Sequence, residues 1–121
     1  KMIQCFMVGL GGGVGALFRY LLGKIHFPIE TTFPIMTLCI NILGAFVIGM
    51  VVSGAERYGL EESKWILFLK TGVCGGFTTF STFSLETMTL LEQGKVNHAI
   101  FYTILSVVLC LIGIFIGKNI F

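Results

Sequence analysis

The sequence predicts an all-α membrane protein with four transmembrane helices. Its 121 residues are 55% apolar and only 12% charged, and its mean hydropathy is +0.95. A soluble domain of this size leaves much of its surface in water, so it has too little interior to hide this much apolar surface. Lipid is therefore the expected solvent, and we expect a multi-pass protein of the cell inner (plasma) membrane.

Four apolar spans follow one another, each near the roughly 20 residues that a helix needs to cross the hydrocarbon core. The first span carries Arg19 near its far end, the third contains Lys70 and Glu86, and the second and fourth have no charge. The connections are short and polar, which leaves no room for a soluble domain. We predict one transmembrane domain, 1–121, with spans at about 2–23, 33–55, 65–91 and 96–117.

The charges are few and scattered. A net charge of +2 is too small to indicate a nucleic-acid partner, and the basic residues form no stripe. If both termini lie on one side of the membrane, five Lys and Arg residues lie there against three on the other side, so the positive-inside bias is weak. Four helices also barely enclose a polar path without a second subunit. We therefore expect an oligomer, and a bias this weak would allow the chain to insert both ways and pair with an inverted copy of itself.

Small residues recur at helical spacing. Gly11, Gly13 and Ala16 form a GxGxxA pattern, but a dinucleotide site would need a βαβ unit and an acidic residue about 20 positions on. The next segment is another apolar span, and the loop residue Glu30 is the only carboxylate before Glu56. The spacing predicts close helix packing in lipid instead. The expected pairs are Gly9/Gly13, Gly11/Gly15, Gly12/Ala16, Gly72/Gly76 and Gly113/Gly117.

Two polar side chains lie inside the first two spans. A guanidinium within a span is costly, so Arg19 either faces a polar vestibule, ties helices together or snorkels to the headgroups. Asn41 has Thr37, one turn back, as the only polar neighbour on its face. A mid-span amide must form hydrogen bonds, either to another helix or as a donor that lines a polar path. The residues alone leave these alternatives open.

The third span contains the most unusual segment, GVCGGFTTFSTFS, from Gly72 to Ser84. Its glycines weaken a helix, and the hydroxyls that follow can satisfy backbone groups freed by a break. We predict that this helix is broken near its middle, between Gly75 and Thr79. Interrupted membrane helices expose carbonyls that commonly hold a small cation, and two symmetric copies would be needed to complete such a site.

The phenylalanines of this segment, Phe77, Phe80 and Phe83, are spaced by three residues. Successive rings therefore drift around a helix of 3.6 residues per turn. Core packing is one explanation of the pattern. The other is that ring edges, which carry the positive part of the aromatic quadrupole, face an anion beside Ser and Thr donors.

Three motifs, GGGVGALFRY, LCINILGAFVIG and GVCGGFTTFSTFSLE, resemble those of the small bacterial fluoride channels, the Fluc or CrcB family of fluoride exporters. The resemblance covers all four spans. It implies an antiparallel homodimer with two pores and one structural sodium ion at the centre, held where the third helices are broken. It also implies passive, fluoride-selective conduction out of the cytoplasm.

Residue by residue, the resemblance implies sodium ligands at the backbone carbonyls of Gly75 and Thr78 from both subunits. It implies a pore-lining amide at Asn41 and ring edges that face fluoride at Phe80 and Phe83. The other implied residues are the pore hydroxyls Ser81, Thr82, Tyr102 and Ser106, the pore-vicinity residues Thr37 and Glu86, and Phe77, which is left to packing. Arg19 remains the candidate for a vestibule.

The spacing of residues in the fourth span indicates a polar track independently of the family resemblance. Tyr102, Ser106 and Cys110 are four residues apart and share one face of a helix. Ile114, the next residue on that face, is apolar, so the track fades there.

Other functional classes fit less well. A small dual-topology multidrug or cation transporter has a similar length, but proton coupling needs a carboxylate deep in the bundle, and Glu86 is the only candidate. A membrane scaffold would explain the glycines but not TTFSTF. An enzyme is least favoured, because no nucleophile, base and orienting group recur at a plausible spacing.

Overall fold

The structure, a computed structural model, describes residues 1–26 and 31–121, so the loop residue Glu30 lies outside it. The described residues contain no strand, which confirms the prediction of an all-α protein. In chain order the elements are α1 (Met2–Gly23), α2 (Ile35–Tyr58), α3 (Lys64–Leu67), a π-helical segment (Phe68–Cys74), α4 (Gly75–Phe77), α5 (Phe80–Glu92) and α6 (Val96–Lys118).

Three helices within the described ranges, α1, α2 and α6, are long and apolar enough to cross a membrane. Their outer faces carry large exposed apolar side chains, such as Leu17 and Phe18 on α1 and Ile104, Leu111 and Phe115 on α6. Such an exterior is stable in lipid and unfavourable in water. The chain is therefore a multi-pass membrane protein.

The ends of α2 differ from the predicted span 33–55 for local reasons. Pro34 precedes the first turn, where its fixed φ and missing N–H cost nothing, and the helix begins at Ile35. It continues beyond the predicted end to Tyr58 and stops at Gly59, which has a φ of 66°. Only glycine adopts this left-handed conformation without steric cost, so it ends the helix.

The third predicted span consists of several pieces. Helical dihedral angles stop at Phe77, and the next two residues are extended: Thr78 has φ −82° and ψ 158°, and Thr79 has φ −149° and ψ 120°. Both lie in the range 75–79, where we expected a break. The Thr79 hydroxyl accepts a hydrogen bond from the Thr82 N–H at 3.1 Å. This contact is an N-cap, so α5 begins as a separately capped helix.

Glycines bring α1 into backbone contact with the third segment. A Cβ atom on Gly11 would lie 2.5 Å from the carbonyl oxygen of Phe68, and one on Gly15 would also overlap the backbone of the third segment. Conversely, Cβ atoms on Gly72 and Gly76 of the third segment would overlap the backbone of α1. The predicted packing of the pairs Gly11/Gly15 and Gly72/Gly76 is therefore confirmed.

The remaining small pairs behave differently from one another. Gly113 and Gly117 pack against the α2 backbone, where Gly49 would place a Cβ 2.6 Å from the Ile114 carbonyl oxygen. By contrast, a Cβ on Gly9, Gly12 or Gly13 would meet no atom of the described residues within 4 Å. Gly12 nevertheless takes part in the close approach through its backbone, which a Cβ on Gly76 would overlap. The close packing expected of the pair Gly9/Gly13 does not occur among the described residues, because the third segment contacts another face of α1.

The buried apolar core lies where α2, α5 and α6 meet. Leu38, Leu90, Ala99 and Tyr102 form this cluster, and Tyr102 has no exposed surface. Phe77 is also buried, as expected of a packing residue. The core fixes one side of the polar segment that follows Phe77.

Gly15→Ala should lower the free energy of unfolding by about 1–3 kcal/mol, because the new methyl group would overlap the backbone of the third segment. Gly13→Ala, on the same helix, is the matched control and should be neutral or stabilising, since alanine favours a helix by up to about 1 kcal/mol over glycine. Denaturant unfolding of the detergent-solubilised protein measures both variants. Equal effects at the two positions would contradict this packing.

Candidate functional site

The side-chain amide of Asn41 binds the backbone of Thr79. Its Nδ2 donates to the Thr79 carbonyl oxygen at 3.1 Å, and the Thr79 N–H donates to its Oδ1 at 2.8 Å. These are the two bonds that a neighbouring strand would supply to an extended residue. Of the two alternatives for Asn41, the observed contact is therefore a bond to another part of the chain, from α2 to the non-helical residue Thr79 of the third segment.

Arg19 of α1 binds the same interrupted segment. Its Nε donates to the carbonyl oxygen of Gly76 at 3.2 Å. The next helical N–H would normally approach this carbonyl, but the extended conformation of Thr78 and Thr79 carries the chain away. Arg19 is thus a tie between α1 and the third segment.

Glu86 is held by two hydroxyl groups in the interior. Thr37 donates to its Oε2 at 2.9 Å and Tyr102 donates to its Oε1 at 2.8 Å. Both donor residues are buried. The three residues that the sequence assigned to a vestibule or a track therefore form one hydrogen-bonded cluster that joins α2, α5 and α6.

An open groove of about 360 Å³ runs beside the interruption. It brings together the predicted residues Asn41, Phe80, Phe83 and Ser106 and the two predicted sodium ligands. The groove is lined by Asn41, Ala45, Ile48, Cys74, Gly75, Thr78, Thr79, Phe80, Phe83, Ser106, Val107, Cys110 and Ile114.

Two aromatic rings form one wall of the groove. Phe80 is 78% exposed in the single chain, and its ring centroid lies 5.5 Å from that of Phe83. Phe83 in turn lies 5.0 Å from the ring of Tyr102. This chain of rings anchors Phe83 to the core while Phe80 reaches into open space, a position that an apolar ring keeps only against lipid or another protein surface.

Ser106 presents a buried and unsatisfied hydroxyl to the groove. The residue is 8% exposed, and its Oγ has no hydrogen-bond partner among the described residues. Buried polar groups of this kind are rare and call for an unseen partner such as a water molecule or an ion. The groove therefore has an unused donor deep in its wall.

A second cavity, of about 340 Å³, also reaches the interruption. Thr79 lines both spaces, whereas its partner Asn41 lines only the groove. We refer to this space as the Arg19 cavity, which is lined by Arg19, Tyr20, Gly23, Lys24, Met36, Thr37, Ile40, Thr79, Thr82 and Glu86.

The predicted hydroxyl track is divided between these spaces. Thr82 faces the Arg19 cavity, and Ser106 faces the groove. The Tyr102 hydroxyl is used by Glu86 and has no exposed surface. Ser81 is exposed and lines neither space, and its Oγ lies 3.4 Å from the Thr79 hydroxyl. A continuous row of these four hydroxyls is not present in the single chain.

The described residues contain no group of three or more His, Cys, Asp or Glu side chains that could hold a metal ion. A cation would therefore depend on backbone oxygens. The Thr79 N–H would close the next helical turn on the Gly75 carbonyl but donates to Asn41 instead, which leaves that carbonyl without its helical donor. The donor chemistry of Gly75 fits a hard cation such as sodium.

Two residues of these spaces were missed in the sequence. The Thr79 hydroxyl is the N-cap of α5, and the Thr79 backbone is hydrogen-bonded to Asn41. Lys24 adds a second positive charge to the Arg19 cavity. Thr79 could have been found as the first hydroxyl after a helix break, since such residues commonly cap the helix that follows. Lys24 gave no sequence signal, because it appeared only as a loop residue beyond the first span.

Fold and site together define a multi-pass helical membrane protein in which a groove and a cavity meet at an interrupted segment. Residues 6–118 match the family model described as CrcB-like protein, Camphor Resistance (CrcB). The chain therefore belongs to the CrcB-like family.

Relatives of the chain carry a more specific name. The chain is 45% identical to the fluoride-specific ion channel FluC of Ruminiclostridium cellulolyticum, over 98% of this chain and 92% of that one. It is 43% identical to the protein of the same name from Elusimicrobium minutum, over 94% and 90%. The identity to the Methanocaldococcus jannaschii protein of that name is 36%, over 95% and 91%.

Tyr102→Phe should lower the free energy of unfolding by about 1–3 kcal/mol, because Glu86 would keep one oxygen in a buried setting without its donor. Denaturant unfolding in detergent measures the change. Tyr58→Phe is the matched control on an exposed tyrosine and should stay within about 0.5 kcal/mol of wild type. A Tyr102 variant as stable as this control would rule out a structural role for the Glu86 cluster.

Proposed function

We propose that this protein is a fluoride channel that lets fluoride leave the cytoplasm down its gradient. The proposal rests chiefly on similarity over nearly the whole chain to relatives that are named fluoride-specific ion channels. The groove supports it, because an amide, a hydroxyl without a partner and two aromatic rings lie together along one otherwise largely apolar groove.

The chemistry of the groove suits a small, strongly hydrated anion. A selective pore must replace the water around fluoride with donors and still release the ion, which favours several sites of moderate strength in a row. Ser106 supplies an unused hydroxyl donor, and the edges of Phe80 and Phe83 supply weaker positive contacts. The rings also narrow the path, which would exclude larger anions.

The Arg19 cavity is proposed as the vestibule of this path. Arg19 and Lys24 give it positive charge, which raises the local concentration of anions. Thr82 adds a hydroxyl, and the Glu86 carboxyl is turned to the donors Thr37 and Tyr102. An anion could therefore approach the interruption past donors and cations rather than past a free carboxylate.

The active form is proposed to be an antiparallel homodimer with one pore on each side. The groove is open along one side in a single chain, and Phe80 projects from it. A second copy would close the groove and cover the ring. The weak Lys and Arg bias permits insertion in both orientations, as this arrangement needs.

We further propose that the third span is a broken membrane helix whose Gly75 and Thr78 carbonyls, from both copies, hold one sodium ion. Thr78 is extended, so its carbonyl lies outside the helical ladder, and Gly75 lacks its helical donor. Bound sodium would supply a fixed positive charge at the centre of the dimer and join the two interruptions.

Fluoride efflux from liposomes that contain the purified protein tests the proposed function. A fluoride electrode should record rapid efflux, while chloride efflux under the same gradient should stay at background. Uptake of a lipophilic cation driven by a proton gradient tests the rival, a small multidrug or cation transporter. Absence of fluoride efflux from liposomes that contain folded protein would refute the channel.

Phe80→Ile and Phe83→Ile should each bring fluoride efflux close to background while leaving dimerisation intact, because isoleucine keeps bulk but has no positive ring edge. Phe115→Ile is the matched control, since Phe115 is an exposed ring on α6 outside the groove. It should conduct like wild type. Unchanged efflux in both groove variants would remove the role of the ring edges.

Replacing sodium with N-methylglucamine during purification should reduce both the fraction of dimer and the fluoride efflux, because the proposed cation joins the two copies. Cross-linking measures the dimer, and the electrode measures efflux. Returning sodium should restore both. Full dimerisation and conduction in the absence of any small cation would contradict the sodium site.

A further inference from the structure

The Asn41 amide and the Thr79 backbone form a closed pair of hydrogen bonds within the groove wall. Nδ2 donates to the carbonyl at 3.1 Å and Oδ1 accepts from the N–H at 2.8 Å. We propose that Asn41 is a positioning residue: it replaces the helical partner of Thr79, keeps the Gly75 carbonyl exposed, and affects ion conduction through the backbone rather than through contact with the ion. This inference rests on the proposed function.

The order of carbonyls before the interruption supports this role. The Cys74 carbonyl is occupied by both the N–H and the hydroxyl of Thr78, at 3.1 and 2.9 Å. The Gly76 carbonyl accepts from Arg19 at 3.2 Å. Gly75, between them, would receive the Thr79 N–H in a continued helix, but Asn41 holds that N–H. Two side chains from different helices therefore determine which carbonyl is left without a helical donor.

The packing of α2 holds Asn41 in this position. Gly44 lies one turn further along the same face of α2, where a Cβ would overlap the Thr78 side chain and lie 3.3 Å from the Phe77 ring. The backbone of α2 therefore lies directly on the interruption. This close approach gives the short Asn41 side chain the reach to bond both backbone groups of Thr79.

A direct bond from Asn41 to an ion competes with this pair. Both polar atoms of the amide already have partners of good geometry. Turning the amide toward the groove would leave the N–H and the carbonyl of Thr79 unsatisfied within the membrane, where each such group is costly. The amide is therefore more stable on the backbone than on a passing anion.

The test compares Asn41→Leu and Asn41→Gln with wild type in two measurements that need no conduction. NMR hydrogen exchange of the Thr79 amide reports the bond itself. The sodium concentration that gives half-maximal thermal stabilisation reports the carbonyl site. Asn119→Leu and Asn119→Gln are matched controls, because the Asn119 amide also bonds a backbone carbonyl, that of Phe115, at 2.7 Å at the far end of α6.

We expect the Thr79 amide of wild type to be protected like a helical amide, and to exchange about 10-fold faster or more in both Asn41 variants, as the loss of one hydrogen bond implies. The sodium midpoint should rise by a similar factor of about 10, because the Gly75 carbonyl can return to a helical partner. Glutamine should not rescue either measurement, since its longer side chain moves the amide away from Thr79. Both Asn119 variants should match wild type.

Several results would overturn the inference. If the Thr79 amide of the wild-type protein exchanges without protection, the inference is overturned before any variant is made. Variants that lose fluoride efflux but keep wild-type exchange and a wild-type sodium midpoint would show that Asn41 contacts the ion. Absence of fluoride efflux in wild type would refute the proposed function instead, while the exchange of Thr79 would still decide whether Asn41 holds the backbone.

Discussion

The structure depends on one constraint, the satisfaction of backbone groups where a helix stops within an apolar protein. At Thr79 the chain leaves the pattern of helical hydrogen bonds, and the side-chain amide of Asn41 bonds both the N–H and the carbonyl of Thr79. Lipid offers no water for these groups, so a side chain must supply the bonds. The groove, the freed Gly75 carbonyl and the capped start of α5 all follow from this exchange of partners.

The packing of α1 against the third segment makes a second hydrogen bond to the interruption possible, the one from Arg19. Gly11 and Gly15 let the backbones of α1 and the third segment approach each other, and the same approach brings Arg19 to the Gly76 carbonyl. A half-buried guanidinium is tolerated in a membrane protein when it pairs with a group such as a backbone carbonyl, as Arg19 does through its Nε. The close packing of α1 and the hydrogen bond of Arg19 therefore depend on each other, since larger residues at the glycines would move the Arg19 guanidinium away from the Gly76 carbonyl.

Most of the fold could be predicted from the sequence, because helices in lipid are determined by apolar length and by small-residue spacing. The π-helical segment and the continuation of α2 to Tyr58 could not, since both depend on neighbouring helices. Gly9 and Gly13 had the correct spacing, but the sequence does not state which face of α1 meets the third segment.

The candidate site was predictable in its residue types and less so in its contacts. Asn41, Arg19 and Glu86 stood out because polar groups within a span need partners. Their partners are a backbone amide, a backbone carbonyl and two hydroxyls from distant parts of the chain, and none of these follows from spacing along one helix. The roles of the groove residues toward an ion stay predictions.

A structure of the protein in lipid nanodiscs, with sodium and fluoride present, tests the central claim most directly. The account predicts two antiparallel copies, each groove closed by the other copy, with the Asn41 amide bound to the Thr79 backbone and the Gly75 carbonyls turned toward a shared cation. A Thr79 N–H that donates to Gly75 in a continued helix, with the Asn41 amide turned into the groove, would contradict it.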